Sequence, residues 1–120
     1  MPHILTVDDS ASMRQMVAFT LRDAGFEVSE AEDGSEALSI AENNSFDLVL
    51  ADVNMPKMDG ISLIRKLRTL SNYQYTPLLM LTTESSMERK SEGKEAGATG
   101  WIVKPFEPDN LVATIRRVLG

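Results

Sequence analysis

Five short apolar runs alternate along this chain with five segments of helical period, and that alternation leaves few folds open. The runs lie near residues 3–7, 26–31, 46–51, 77–81 and 100–103, and are rich in Val, Ile, Leu or Phe. Helix-period segments follow them near 11–24, 34–43, 60–69, 85–96 and 108–119. In the first, Met13, Val17, Leu21 and Ala24 fall on one face, with Ser10 placed to cap the free N–H groups. In the last, Leu111, Ile115 and Val118 repeat at i, i+4 and i+7, and Pro108 suits a first turn. Gly25, Gly34, Gly60, Gly97 and Gly100 punctuate the joints. Five β–α units in succession predict an α/β fold with a parallel sheet and right-handed crossovers.

A chain of 120 residues suffices for one such domain and its own core. There is no repeat, linker or low-complexity tract, and the last helix segment ends at the chain's end, so one domain over 1–120 is expected. The formal charge of −6 and pI near 4.7 argue against a nucleic-acid surface, which needs a basic stripe. Without cysteine there is no disulfide framework, thiolate metal site or cysteine nucleophile. Met1-Pro2-His3 opens no secretory leader, and no run approaches the length of a membrane span. A cytoplasmic protein with no membrane partner is the expectation.

In parallel sheets of this kind, ligands bind beyond the carboxyl ends of the strands. Four of the five strands end there in a polar group: Asp8 with Asp9, then Asp52, Thr82 and Lys104. The second ends in Glu30-Ala31-Glu32 and is expected to lie aside. Three clustered acids repel one another, so a hard cation such as Mg²⁺ is their natural companion. Each has a plainer reading: Asp8 and Asp9 could favour a helix dipole, and Asp52 could begin a turn. Together they suit metal-assisted chemistry in which a carboxylate takes a phosphoryl group as an acyl phosphate. Thr82 would donate its hydroxyl to a phosphoryl oxygen, or simply be a β-branched strand residue. Lys104 would neutralise the acids and clamp a phosphoryl oxygen, or be a solvated turn lysine. The Lys104-Pro105 bond is a candidate for cis.

Other features read as structural. The seven methionines are taken mostly as core filler, with Met55 and Met58 packing a loop. His3 has no evident partner. Arg89, Lys90 and Lys94 are offset by Glu88, Glu92 and Glu95 on a solvated helix face, and Arg116-Arg117 complement a helix dipole.

Taken in order, Val7-Asp8-Asp9-Ser10, Leu50-Ala51-Asp52, Met55-Pro56-Lys57-Met58-Asp59-Gly60, Leu81-Thr82-Thr83-Glu84 and Val103-Lys104-Pro105-Phe106 resemble the receiver domain of two-component response regulators, most of all the single-domain chemotaxis type. The resemblance spans essentially the whole chain. It implies a doubly wound, flavodoxin-like five-stranded sheet of order 2-1-3-4-5 with five helices. It implies Asp52 as phosphoacceptor from a sensor histidine kinase, and a Mg²⁺ site of Asp9, Asp52 and the Asn54 carbonyl, with Asp8 acting through water. Thr82 and Lys104 would hold the phosphoryl oxygens. Trp101 occupies the place of the family's switching aromatic, where a tyrosine or phenylalanine is usual, or is a half-buried residue at the core's edge. Asn54, Thr83 and Glu84 take positions that tune phosphate lifetime. The fourth helix, fifth strand and fifth helix would form the output face, for a flagellar motor switch protein or a phosphatase, with the chain a monomer.

Of three other functions, only the first keeps support in the sequence. The receiver could be a phosphate sink, a relay or part of a larger regulator. A dehalogenase-type phosphatase would need a second acid where Asn54 stands. A flavodoxin-like cofactor binder would need a phosphate-cradling loop where Asp8-Asp9-Ser10-Ala11-Ser12 stands.

Overall fold

The strand and helix residues expected from the pattern form the elements seen in a computed structural model, which describes residues 1–120. In chain order these are β1 (His3–Val7), α1 (Ala11–Asp23), β2 (Glu27–Ala31), α2 (Gly34–Glu42), β3 (Leu48–Ala51), α3 (Gly60–Leu67), β4 (Leu78–Thr82), α4 (Met87–Ala96), β5 (Gly100–Val103) and α5 (Pro108–Leu119). All strand pairings are parallel, and the sheet order is β2-β1-β3-β4-β5, as the resemblance implies.

Strand side chains alternate between two cores. Leu48 and Leu50 of β3, with Leu79 and Leu81 of β4, meet Val17 and Leu21 of α1 and Leu111 and Ile115 of α5. Val49 and Ala51, with Leu78 and Met80, face the other way, onto Ala37 and Ala41 of α2 and Ile61, Leu63, Ile64 and Leu67 of α3. Both faces being covered explains why the strands read as unbroken apolar runs. Each fully buried Leu or Ile side chain contributes roughly 1.5–3 kcal/mol. No buried side-chain nitrogen or oxygen lacks a hydrogen-bond partner.

The boundaries shift where capping and chain reversal outrank hydrophobicity. Ser10 caps α1 as expected, its Oγ accepting from Met13 N. Phe26 is buried but precedes β2, because its N–H donates to Leu21 O and closes α1. Phe46 and Asp47 likewise precede β3. The fourth strand runs one residue later than expected, so Thr82 is a fully buried strand residue. The fourth helix begins at Met87 because Ser86 Oγ accepts from Arg89 N. A 3₁₀ turn at Ser71–Tyr73, which the pattern does not signal, inserts Tyr73 into the core. Its hydroxyl lies 2.8 Å from Ala41 O and 2.7 Å from Asn44 O.

Two structural readings need correction. Only Met80 of the seven methionines is fully buried; Met1, Met16 and Met87 are exposed, while Met55 and Met58 do pack against the core. His3 has partners after all: its Nε2 is 2.8 Å from Ser29 Oγ, and its ring meets Phe46 edge-on at 4.6 Å. Strand register supplies both contacts, so neither is visible in local sequence.

Candidate functional site

Register assembles the site. Val7 pairs with Ala51 across β1 and β3, so the next residues, Asp8 and Asp52, emerge side by side. Asp52 N donates to Val7 O at 3.0 Å and Asp8 N to Ala31 O at 3.1 Å, which extends the ladder past the strand ends. On the other side Thr82 pairs with Val103, and Lys104 N donates to Thr82 O at 2.8 Å. All four strand-end groups therefore share one edge.

Lys104 reaches across that edge to both acids. Its Nζ donates to Asp8 Oδ2 at 2.8 Å and to Asp52 Oδ2 at 3.0 Å, and all three side chains are about nine-tenths buried. The solvated-turn reading of Lys104 is thus wrong. Burial, the largest single influence on the ammonium, opposes its charge. The hydrogen bonds and charges of Asp8 and Asp52 together outweigh it and hold the pKa above the ordinary 10.5. The resulting stabilisation is complete below that ordinary value and is lost as pH rises through the higher folded-state value. The Lys104-Pro105 bond is cis.

Asp8 is held at every polar atom of its side chain, since Oδ1 accepts from Ser10 N at 2.9 Å. Asp52 Oδ1 accepts only a long contact, 3.4 Å, from Asn54 N. Asp9 is exposed. Carboxylate oxygens of Asp8, Asp9 and Asp52 lie within 4.8 Å of one another. That is an all-oxygen, anionic donor set, the chemistry Mg²⁺ prefers, so the residues fit the ion.

Beyond the edge, one residue links the threonine to the tryptophan. Thr82 Oγ1 accepts from Glu84 N at 3.1 Å, and Glu84 O accepts from Trp101 Nε1 at 2.9 Å. The indole is half-buried and lies against Gly93 of α4, where an added Cβ would come within 2.8 Å of Cζ3. Trp101 thus sits half-buried at the core's edge, held by a specific hydrogen bond. Hydrogen bonds from Ser86 hold the Glu84 carboxyl below its ordinary range, aided by Arg89 and Asn54. Asn54 and Thr83 are exposed at the rim.

Sequence reading passed over two residues beside the site. Arg14 Nη1 donates to the carbonyl of Asp8 at 2.8 Å, and its Nε pairs with Glu30 at 3.2 Å. Glu30 lies on β2, the edge strand beside β1. The available signal was a cation in the first turn of α1, where the helix dipole disfavours it.

Comparison with known proteins agrees with this geometry. Residues 4–116 match the family described as "Response regulator receiver domain". The chain belongs to the response regulator receiver family. Chemotaxis protein CheY-3 of Vibrio cholerae is 40% identical over 116 residues, covering 96% of this chain and 89% of that protein. The transcriptional regulatory protein PrrA of Mycobacterium tuberculosis is also 40% identical, over 98% of this chain but 50% of its own length. Among solved structures, chemotaxis protein CheY4 of Vibrio cholerae is 55% identical, with a TM-score of 0.95 and 98% of each chain covered. The receiver domain of sensor histidine kinase PA1611 from Pseudomonas aeruginosa, with magnesium coordinated in its active-site cleft, is 28% identical at a TM-score of 0.93. It covers 99% of this chain, which matches 98% of it. Receiver domains bind Mg²⁺ at an acidic pocket, and this chain has the acidic cluster. No helix is long and apolar enough to cross a membrane.

Proposed function

We propose that this receiver is a phosphorylation-switched, single-domain signalling protein of the chemotaxis type, with Asp52 as acceptor. The observation that carries the reading is Lys104 spanning Asp8 and Asp52 at 2.8 and 3.0 Å in a buried cluster of acids. Asp52 Oδ1, the less firmly held oxygen, attacks the phosphorus of a phosphohistidine on a sensor histidine kinase. A P–O bond forms, the P–N bond breaks, and the imidazole departs with the electron pair. Asp9, Asp52 and the Asn54 carbonyl would hold Mg²⁺, with Asp8 acting through water, and the ion when bound neutralises charge on the transferring phosphoryl oxygens. Lys104 passes from the carboxylates to a phosphoryl oxygen, and Thr82 donates its hydroxyl to another. Asn54, Thr83 and Glu84 govern access of the water that later hydrolyses the acyl phosphate.

Movement of Thr82 toward the phosphate disturbs its bond with Glu84 N, and Glu84 O is what holds Trp101. The indole thereby reports the state of the site to α4, β5 and α5. Moving this equilibrium from about 1:99 to 99:1 takes roughly 5.5 kcal/mol of differential stabilisation, within reach of several charge-assisted bonds. The reading places the chain in the cytoplasm as a monomer, with a chemotaxis histidine kinase upstream and a flagellar motor switch protein or phosphatase downstream. The match to PrrA favours a second reading, the receiver part of a transcriptional regulator. Retention of motor-switch proteins on the beryllium-fluoride-loaded chain supports the first reading; retention of a kinase alone counts against it.

Intact mass after incubation with Mg²⁺ and acetyl phosphate tests the chemistry. Wild type should gain one phosphoryl group, and Asp52→Asn should gain none. An Asp52→Asn chain that gains the same mass sinks the assignment. In the same assay Lys104→Ala should react more slowly, on the order of 100-fold, the scale of one lost oxyanion donor. The emission of Trp101, the sole tryptophan, should then no longer change on phosphorylation. A full change in that variant would break the proposed coupling.

A further inference from the structure

The carbonyl that Arg14 holds belongs to the peptide bond between Asp8 and Asp9. A peptide group is planar and includes both flanking Cα atoms, so restraining its oxygen restrains where both of them lie. The preceding peptide plane, between Val7 and Asp8, is restrained in turn by Asp8 N, which donates to Ala31 O at 3.1 Å. Asp8 thus has partners for its N–H, its C=O and both carboxylate oxygens. Asp9, one bond further and exposed, depends on that plane for its orientation.

Arg14 is itself held. Its side chain is 15% exposed, and its Nε donates to Glu30 Oε1 at 3.2 Å. Glu30 Oε2 takes Arg22 Nη2 at 3.4 Å, and the same nitrogen donates to Val28 O at 3.0 Å. One carboxylate on β2 therefore collects two arginines of α1 and presents the Arg14 fork to the β1–α1 junction. A cation in the first turn of a helix opposes the macrodipole, so a compensating task is called for. The Asp8 carbonyl supplies one.

We propose that Arg14, oriented by Glu30, is a positioning residue that sets the Asp8–Asp9 peptide plane and thereby the affinity of the acidic cluster for Mg²⁺. This rests on the reading of that cluster as the metal site. Groups that orient ligands in this way typically change metal affinity 10- to 100-fold when removed. An ammonium cannot bridge a carbonyl and a carboxylate with a rigid fork, so lysine should not restore the function.

The test is a titration with MgCl₂ followed by the backbone amide resonances of Asp9 and Ser10, alongside thermal unfolding. Wild type should show saturable shifts. Arg14→Met should bind Mg²⁺ about tenfold more weakly, with the Asp9 amide already displaced before metal is added. Arg14→Lys should resemble Arg14→Met, and Glu30→Gln should fall between them and wild type. A folded Arg14→Met chain with wild-type Mg²⁺ affinity and an undisplaced Asp9 amide overturns the proposal. So does a lower melting temperature with unchanged affinity, which marks Arg14 as merely structural. Should Arg14→Met not fold, Glu30→Gln decides by the same two readouts. Wild type that binds no Mg²⁺ brings down the metal reading and this one together, whereas Arg14→Met effects alone address only this one.

Discussion

Gly60→Ala should destabilise the protein by about 3 kcal/mol and nearly abolish phosphoryl uptake. Gly60 is the first residue of α3, capped by Asp59, whose Oδ1 accepts from Ser62 N at 2.8 Å. Its own N–H donates to Val53 O at 2.9 Å, which draws the helix start tightly under the end of β3. A Cβ there would collide with the carbonyl oxygen of Asp52 and lie 2.6 Å from Met80 Cε. Met80 is fully buried, and the carbonyl is backbone, so neither yields cheaply. Overpacking of this kind costs about 1–3 kcal/mol, and the backbone clash puts Gly60 at the upper end. The atom displaced belongs to the proposed phosphoacceptor, and a misplacement of roughly 1 Å can cost about 100-fold in rate. Urea unfolding reads the first effect as a lower midpoint at unchanged m-value. Intact mass with acetyl phosphate reads the second. A wild-type midpoint would mean that the β3–α3 junction accommodates a methyl group and that close approach does not explain the glycine.

Arg68→Ala should cost a similar amount while leaving the site's chemistry in place. Arg68 caps the end of α3, and its guanidinium donates to Tyr73 O, Thr76 O and, through two nitrogens, Gly97 O, all between 2.7 and 3.0 Å. It thereby ties the segment before β4 to the end of α4. Burial lowers its pKa from the ordinary guanidinium value, and no carboxylate pairs with it among its hydrogen-bond partners. Bonds to a charged donor are worth roughly 1.5–3 kcal/mol each, and water would replace some of them on truncation. A net loss of about 3 kcal/mol corresponds to a fall in melting temperature of roughly 12 °C for a domain of this size. Arg68→Lys should recover little, because one ammonium cannot serve three separated carbonyls. A fall of under roughly 3 °C would show that the carbonyls are satisfied without the guanidinium.

The two residues differ in how far a sequence discloses them. Gly60 stands at a joint between an apolar run and a helix-period segment, so its importance could be suspected, though not the carbonyl it makes room for. Arg68 follows Leu67 as an ordinary basic residue at a helix end, where a dipole interaction would be the natural explanation. Its carbonyl partners at Tyr73, Thr76 and Gly97 are brought to it by the 3₁₀ turn and by the α4–β5 connection, neither of which the hydrophobic pattern encodes. Trp101 lies between these cases. Its place before Lys104 was legible, but its hydrogen bond to Glu84 O depends on how α4 and the β4–α4 loop lie over β5.

Sequence alone determined the alternation of strands and helices, the cap at Ser10, the first-turn proline Pro108 and the set of polar groups at the strand ends. Those are local properties: a side-chain period of 2 or 3.6, a hydroxyl before a helix, a carboxylate after an apolar run. Tertiary structure decided which of those groups meet. Lys104 pairs with Asp8 and Asp52 across separations of 96 and 52 residues, and Arg14 with Glu30 across 16. Such pairings follow from strand order and register, and the same local pattern is compatible with more than one of either. Long, flexible cationic side chains then take whichever carboxylates and carbonyls that register places within reach.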